Sequence, residues 1–172
     1  MNNATPFLYA AIVTYADDVI ERAQRNIGAS RVIGGKRRRR VASGKLQNSL
    51  KYFVAKSKFK TVLDFTTTDD VDSYAGVIEF GRRKGARQPP VSAILDWMKE
   101  KNIRLQKKGG GFIKETPALR RSVAFLIARS IGKNGIEGIH YYRDAIESAN
   151  EANPNLFSDA IKKEIETRTT LR

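Results

Sequence analysis

Apolar residues recur at steps of three and four along residues 5–27, which is the spacing of one face of an α-helix. Thr5 and Pro6 are residues typical of a helix start, and Gly28 is typical of a helix end. The pattern therefore predicts a long amphipathic helix. Its apolar face is formed by Phe7, Leu8, Ala11, Ile12, Tyr15, Val19, Ala23 and Ile27.

Strand patterns follow in the middle of the chain. Residues 51–56 and 59–68 are rich in β-branched and aromatic residues, and the short connection near Ser57-Lys58 predicts an antiparallel hairpin. The apolar run Tyr74–Phe80 ends at a glycine and predicts a third strand. Just before the hairpin, residues 43–49 fit a short helical or extended segment.

Helical patterns dominate the C-terminal half. Pro89-Pro90 prevents a helix before Val91, and Ser92 is the predicted cap of the helix carrying Trp97. Residues 104–115 are basic and rich in glycine, which predicts an exposed loop or ribbon. Thr116-Pro117 predicts the start of the next helix. Its predicted apolar stripe contains Val123, Leu126, Ile127 and Ile131, with Ala124 and Ala128 allowing close packing.

The last segments predict two further helices. Residues 141–152 form the first, Asn153-Pro154 interrupts the chain, and a second amphipathic helix begins at Leu156. The tail from residue 167 to residue 172 is expected to fray.

Together these elements predict an α+β fold in one domain spanning residues 1–172. A small antiparallel sheet of about three strands cannot bury itself, so we expect it to pack on the N-terminal helix and on three to four C-terminal helices. The helices around Trp97 and Val123 are the expected partners of the sheet within the chain, and the alternative is that the sheet pairs with strands of other subunits. We also expect a flexible basic loop at residues 28–44 and a C-terminal helical extension at residues 141–172.

Composition excludes several kinds of site. The 172 residues contain no Cys and a single His, His140, which argues against disulfides, thiolate metal sites and a Ser-His-Asp triad. We therefore predict no catalytic residue, cofactor or metal. The N-terminal segment lacks the features of a signal peptide, and no apolar run approaches the roughly 20 residues of a membrane span.

One acidic cluster could suggest magnesium-dependent nuclease chemistry. Asp69, Asp70, Asp72 and Glu79 lie close together in the sequence. Their spacing lacks the glycine and the distal glutamate of a calcium-binding loop, so we interpret the aspartates as part of a polar turn.

Charge is strongly segregated along the chain, whose net charge is +14. Residues 29–60 carry eleven basic and no acidic side chains, whereas residues 61–81 carry five acidic and no basic side chains. Residues 82–121 are again basic, with twelve cations and three anions. Such asymmetry favours an anionic partner or an acidic surface on a neighbouring subunit.

Three basic segments supply the candidate contact residues for a subunit interface or a DNA channel. We expect no membrane contact, because no amphipathic helix or lipidation signal accompanies the basic run. The candidates are Lys36, Arg37, Arg38, Arg39, Arg40, Arg82, Arg83, Lys84, Arg87, Lys107 and Lys108.

The order of several motifs resembles a family of tailed-bacteriophage neck proteins, known as tail-completion or head–tail joining proteins and also as minor tail proteins. The resemblance spans roughly residues 5–150. After the N-terminal helix it is carried by SGKLQNS at 43–49, YAGVIEFGR at 74–82, PPVSAILDW at 89–97 and AFLIARSIGKNGI at 124–136. The arginine run at 36–40 and the loop KKGGGFIKE depart from the family pattern.

This resemblance implies a non-enzymatic virion protein that is assembled in the host cytoplasm. Members of the family form rings, commonly of six subunits, that complete the tail end and join it to the head connector around the DNA channel. The implied partners are other copies of the chain, head connector or adaptor proteins, a tail tube or tail terminator protein, and the genomic DNA.

The charge pattern also allows a different function, a stand-alone nucleic-acid-binding protein. In that hypothesis Lys36–Arg40 contact phosphates, and the affinity falls steeply as salt rises. Aromatic residues do not interleave with this basic run, so the sequence shows no stacking platform there.

Overall fold

The computed structural model of the chain describes residues 6–33, 36–39, 44–57, 60–68, 72–107 and 109–170, with residues 30–33, 36–39 and 72–73 described by their backbone alone. Helices alternate with short strands along this part of the chain. In chain order the elements are α1 (Pro6–Gly28), β1 (Ser30–Ile33), β2 (Lys36–Arg39), α2 (Lys45–Ser49), β3 (Lys51–Lys56), β4 (Thr61–Thr66), α3 (Asp72–Phe80), β5 (Gly81–Arg82), α4 (Val91–Glu100), α5 (Pro117–Asn134), β6 (Ile136–Glu137), α6 (Tyr141–Ala152) and α7 (Leu156–Thr170).

The first lobe is built around α1. Helix α6 packs on it in antiparallel orientation, because Asn26 donates to the Tyr141 carbonyl near one end and Tyr15 donates to Asn150 near the other. Helix α7 covers the first half of α1, where Tyr15 meets the ring of Phe157. The buried residues of this core are Val19, Ala23, Ile27, Leu46, Leu50, Ala75, Ile139, Tyr141, Ala145 and Ala149. Small alanines on α1 and α6 let the two helix backbones approach closely.

The second lobe has a core of its own. Helix α4 packs on α5, and the segment between them closes the lobe. Its buried residues are Ile94, Met98, Leu105, Ala124 and Ala128. The Thr116 side chain caps α5 by accepting from the Leu119 N–H at 3.2 Å, as predicted from the Thr-Pro pair.

A two-stranded ribbon joins the lobes. Gly81 and Arg82 in β5 pair with Glu137 and Ile136 in β6. Gly135 has φ 74° and ψ −174°, a conformation open almost only to glycine, and a Cβ there would overlap the Arg82 carbonyl oxygen. Main-chain segments therefore cross in direct contact at this junction.

Glu79 holds α3 against the start of α6. Its side chain is only 5% exposed, and its two carboxylate oxygens accept from the N–H groups of Tyr142 (3.0 Å) and Arg143 (3.1 Å). These N–H groups belong to the first turn of α6, where they have no partner within the helix. Glu79 is therefore a capping residue supplied from a distant part of the sequence.

Several sequence predictions are confirmed. The class is α+β, and α1 and the β3–β4 hairpin occupy the predicted segments. Helices α6 and α7 are separated at Asn153-Pro154. The glycine-rich segment forms a ribbon, closed by a bridge between Gln106 and Phe112.

The predicted strand at residues 74–80 is wrong, because this segment is helical in α3. A short apolar run does not distinguish a strand from a buried helix, and here Ala75 and Glu79 are buried one helical turn apart. Gly81, at φ 78°, ends the helix in the left-handed conformation usual for a glycine C-cap.

The sheet also differs from the prediction. Strands of the described residues pair two by two, as β1–β2, β3–β4 and β5–β6. Residues 30–33 and 36–39 form a hairpin where a loop was predicted. The β3–β4 hairpin lies against the first lobe, through α1 and Phe65, so its predicted packing on the helices of Trp97 and Val123 is wrong.

Three finer predictions need correction. Helix α4 is preceded by Pro90 as its N-cap, with no side-chain capping bond, so Ser92 lies inside the helix. Leu126 was placed on the apolar stripe of α5 but is 59% exposed. Helix α7 continues to Thr170, through most of the segment expected to fray. Of the predicted aspartate turn, residues 69–71 lie outside the described residues. Helix α3 begins at the next residue, Asp72.

No helix within the described ranges has both the length and the apolar character needed to cross a membrane.

Two glycine substitutions test the helix at α3 and the junction. Gly76 lies in α3 with nothing near the position of an added Cβ, so Gly76→Ala should stabilise the protein by about 0.5–1 kcal/mol through helix propensity. Gly135→Ala should destabilise it by at least about 2 kcal/mol, since it adds backbone strain and a steric overlap. Urea unfolding followed by circular dichroism measures both. A destabilising Gly76→Ala would contradict the helical assignment.

The Glu79 cap provides a second test. Glu79→Ala removes the acceptor of two partly buried N–H groups and should lower the free energy of unfolding by about 2–3 kcal/mol. Glu79→Gln keeps one oxygen and should show a smaller loss. Glu100→Ala, at an exposed position on α4, is the matched control and should change stability by less than about 0.5 kcal/mol. Equal effects of Glu79→Ala and Glu100→Ala would exclude the capping role.

Candidate interaction surfaces

The basic loop, residues 82–87, is held against the end of α5. The Gly85 N–H donates to the Gly132 carbonyl at 2.9 Å, and Arg82 Nη2 donates to the carbonyl of Arg87. Gly132 is buried beneath the loop, and a Cβ at this position would crowd Ala86 and Gln88. The loop therefore has a defined seat on the second lobe.

The four candidate cations of this loop have two different roles. Arg82 is partly buried, and its guanidinium is used in shaping the loop. Its Nε atom is buried without a hydrogen-bond partner among the described residues. Arg83, Lys84 and Arg87 are exposed, and they are the residues of this loop available for contact with a partner.

The second candidate segment is the basic ribbon, residues 104–114. The Ile113 N–H donates to the Leu105 carbonyl and the Lys107 N–H donates to the Gly111 carbonyl, both at 3.0 Å. Leu105 is buried in the second core, and Ile113 packs against it. Lys107 is exposed near the tip, and Lys108 lies outside the described residues.

Glu115 anchors the base of the ribbon. Its Oε1 accepts from the Leu105 N–H at 2.8 Å, and its Oε2 accepts from Arg120. The hydrogen bond from Leu105 and the Arg120 guanidinium together hold the pKa of Glu115 below its ordinary value. This carboxylate is therefore engaged at the base of the ribbon by Leu105 and Arg120, and the nearby charge of Arg104 also favours its ionised form.

The basic loop and the basic ribbon lie at opposite ends of α5. The loop contacts Gly132, whereas the base of the ribbon lies near the helix start, where Arg120 donates to the Ile103 carbonyl. Gly132 lies sixteen positions after Thr116, which corresponds to about 24 Å along the helix at 1.5 Å per residue. The structure therefore does not bring Lys107 together with Arg83, Lys84 and Arg87.

The third candidate segment lies on β2. Antiparallel pairing places Lys36 opposite Ile33 and Arg39 opposite Ser30, so four successive cations follow one strand. Arg40 lies outside the described residues.

An exposed face of α5 was not predicted as a site. Phe125 and Leu126 are 44% and 59% exposed, and they line a shallow groove of about 650 Å³ together with Val91, Ala118, Arg121 and Ser122. Helix α5 contains four basic residues and no acidic residue. We call Arg121, Phe125, Leu126 and Arg129 the α5 surface. The absence of acidic residues from an 18-residue helix was the sequence signal that could have revealed it.

Exposed acidic residues lie on the other lobe. Asp17 and Glu21 are exposed on α1, and Glu147 and Glu151 are exposed on α6, which packs beside it. We call these four residues the acidic surface, in which Glu21 also forms an exposed ion pair with Arg25 of α1 at 3.8 Å. Asp17 also accepts from the Tyr52 hydroxyl at 3.0 Å.

A second apolar surface runs along α7. Phe157, Ile161 and Ile165 follow at four-residue steps on one side of the helix and are 36%, 46% and 59% exposed. We call these three residues the α7 row.

Titratable groups with shifted pKa values in the described residues belong to packing contacts. Burial is the main cause that raises the pKa of Tyr15, Tyr52 and Tyr142. Each of these hydroxyl groups donates a hydrogen bond, to Asn150, Asp17 and the Thr66 carbonyl respectively. They stabilise the first lobe.

No cluster of His, Cys, Asp or Glu in the described ranges could hold a metal ion. Of the residues considered for magnesium, Glu79 is engaged in capping α6, and Asp69 and Asp70 lie outside those ranges. His140 precedes α6 as its N-cap residue, with φ 51°.

Comparison of the chain with protein-family models, with curated proteins and with solved structures gave no match.

The anchor of the ribbon predicts a pH dependence. Because the folded-state pKa of Glu115 is lowered, its contribution to stability is present above its ordinary value of 4.5 and is lost as the pH falls through the folded-state pKa. Glu115→Gln should therefore show a smaller loss of stability below about pH 4.5 than the wild type. Trp97, the only Trp and a residue of the same lobe, reports urea unfolding by fluorescence. Glu100→Gln, at an exposed site on α4, should retain the wild-type profile; a matching profile for Glu115→Gln would contradict the role of Glu115.

Proposed function

We propose that the protein is a structural subunit of a tailed-bacteriophage neck that assembles head to tail into a ring. The observation that carries this proposal is the pair of unlike surfaces on the two lobes. The α5 surface combines exposed apolar side chains with cations, and the acidic surface lies on α1 and α6. A head-to-tail ring uses two different patches on every subunit, so that each copy contacts the next through complementary surfaces.

The positive charge of the α5 surface favours a partner that carries carboxylates. Arg121 and Arg129 flank Phe125 and Leu126, with no acidic residue on the same helix to neutralise them. An occupant must therefore bring carboxylates, and a second copy supplies them from the acidic surface. Opposite charges around an apolar centre favour one docking orientation over others.

The motif segments also support the proposal by their arrangement. Residues 74–82 and 124–136 carry two parts of the resemblance and are far apart in sequence. The two segments meet where β5 pairs with β6. The basic loop, which follows the first segment and leads to α4, is hydrogen-bonded to Gly132 in the second segment. The resemblance therefore follows a set of residues that pack together.

A neck ring also contacts components other than itself. The α7 row provides a separate apolar surface for a head connector or adaptor, or for a tail tube or tail terminator protein. In this proposal Arg83, Lys84 and Arg87 face either the neighbouring subunit or the DNA in the channel. The ring, of six copies by resemblance, belongs to the neck of the virion and is assembled in the host cytoplasm.

The alternative function, a stand-alone nucleic-acid-binding protein, has one feature in its favour. The β1–β2 hairpin places Lys36–Arg39 along a single strand, which is a suitable arrangement for following phosphates. This alternative predicts a monomer whose binding to DNA depends on those residues and weakens steeply with salt.

Charge exchange tests the ring contact. Arg121→Glu/Arg129→Glu places like charges opposite the acidic surface, which costs up to several kcal/mol at an interface and should shift the oligomer to monomer. Glu21→Arg/Glu147→Arg should have the same effect. A chain carrying all four substitutions restores opposite charges and should regain the wild-type mass. Light scattering after size exclusion measures the mass, alone and after mixing with heads or tails.

A control variant separates this contact from a general effect of charge. Lys99→Glu/Lys163→Glu changes the net charge by the same amount at exposed positions outside both surfaces and should retain the wild-type mass. A wild-type protein that remains monomeric and adds to neither heads nor tails would overturn the ring proposal. An oligomer unaffected by either double variant would remove these two surfaces from it.

A further inference from the structure

The basic ribbon separates its side chains into an inner and an outer face. Gln106 is opposite Phe112 in the pairing, and Leu105 is opposite Ile113. Since successive residues of a strand point to opposite sides, Leu105 and Ile113 share the inner face that joins the second core. The outer face is then shared by four exposed residues, Arg104, Gln106, Phe112 and Lys114.

This outer face combines an exposed aromatic ring with exposed cations. The Arg104 guanidinium lies 4.0 Å from the centre of the Phe112 ring, and the ring is still 54% exposed. Lys107 adds an exposed cation near the tip. The carboxylate at the base of the ribbon, on Glu115, is engaged by Leu105 and Arg120. The face therefore offers one stacking platform and three exposed cations, on Arg104, Lys107 and Lys114.

These groups match the chemistry of a nucleic-acid strand. Lys and Arg neutralise phosphates, and an exposed aromatic ring stacks on a base. A guanidinium resting on the ring extends the flat surface available for stacking. In a duplex the base faces are covered by neighbouring bases, so only an unpaired base can lie on Phe112.

We propose that the outer face of the basic ribbon binds single-stranded nucleic acid. A base stacks on Phe112 and Arg104, while Lys107 and Lys114 contact the flanking phosphates. This site is distinct from Lys36–Arg39 on β2, and it does not depend on ring assembly. The longest basic run of the chain, residues 36–40, contains no aromatic residue that could stack on a base. In the glycine-rich segment, by contrast, Phe112 lies among the cations.

Fluorescence anisotropy with labelled oligonucleotides tests the site. The probes are oligodeoxythymidine, oligouridine and a DNA duplex of equal length, each at low and moderate salt. Phe112→Ala should weaken binding of the single strands about tenfold, the effect of removing the stacking of one base, and leave duplex binding unchanged. Phe112→Tyr should retain wild-type binding. A preference for one single-stranded probe identifies DNA or RNA as the source of the strand.

Two further variants locate the binding site. Phe53→Ala removes another exposed aromatic ring with a cation beside it, Lys51, on β3 and outside every proposed surface, and it should leave binding of all probes unchanged. Arg104→Gln/Lys114→Gln should reduce the salt dependence of single-strand binding, by about 0.7 in the logarithmic slope for each phosphate that is no longer neutralised. Circular dichroism and Trp97 fluorescence verify that the variants are folded.

Three results would overturn the proposal. The first is wild-type affinity of Phe112→Ala for single strands, and the second is an equal reduction with Phe53→Ala. The third is abolition of all binding when Lys36–Arg39 are replaced by Gln while Phe112 is intact. The oligomeric mass is measured on the same samples. Because Phe112 lies outside the α5 surface and the acidic surface, Phe112→Ala should keep the wild-type oligomeric mass. The ring contact and the single-strand site can therefore fail independently of each other.

Discussion

The hydrogen bonds between the buried carboxylate of Glu79 and the first turn of α6 determine how the first lobe is assembled. A carboxylate as buried as that of Glu79 is unfavourable unless hydrogen bonds compensate for the lost water. The first turn of α6 supplies two N–H donors and the positive end of its dipole, while α6 itself needs an acceptor there. The backbone adds two bonds beside it, from Ile139 to Ile78 and from His140 to Glu79. With α6 fixed in this way, its buried face, including Tyr141, is directed onto α1.

The same segment connects the two lobes, because α3 runs directly into β5. Gly81 turns the chain at the end of α3, and Gly135 and Gly138 lie where side chains would overlap the neighbouring backbone. Main-chain contact at this crossing leaves little freedom for the basic loop that follows, which is also bound to Gly132. A binding surface that is already ordered loses less conformational entropy when a partner binds. The position of the loop is thus a consequence of the same packing that caps α6.

Sequence reasoning succeeded where one local signal was sufficient. The Thr116-Pro117 start of α5 and the break at Asn153-Pro154 are local backbone effects, and the structure follows them. It failed at residues 74–80, because seven mainly apolar residues fit a strand as well as a helix, and the deciding contact of Glu79 with α6 is 63 residues distant. Which basic residues share a surface also depends on long-range packing, so the separation of Lys107 from the basic loop could not be predicted. The exposure of Leu126 follows from the rotation of α5, which directs Ala124 and Ala128 into the second core.

Helix α5 links these observations to function. It seats the basic loop at one end through Gly132, anchors the basic ribbon at the other through Arg120, and exposes Phe125 and Leu126 between them. The α5 surface and the outer face of the basic ribbon have no side chain in common, so the two proposed contacts, with a second copy and with a nucleic-acid strand, do not compete for the same side chains. Glu115 accepts from Leu105 and Arg120, while Arg104 and Lys114 are exposed. The exposed cations of this lobe are thus divided among surfaces with different apolar surroundings, Phe125 and Leu126 on α5 and Phe112 on the basic ribbon.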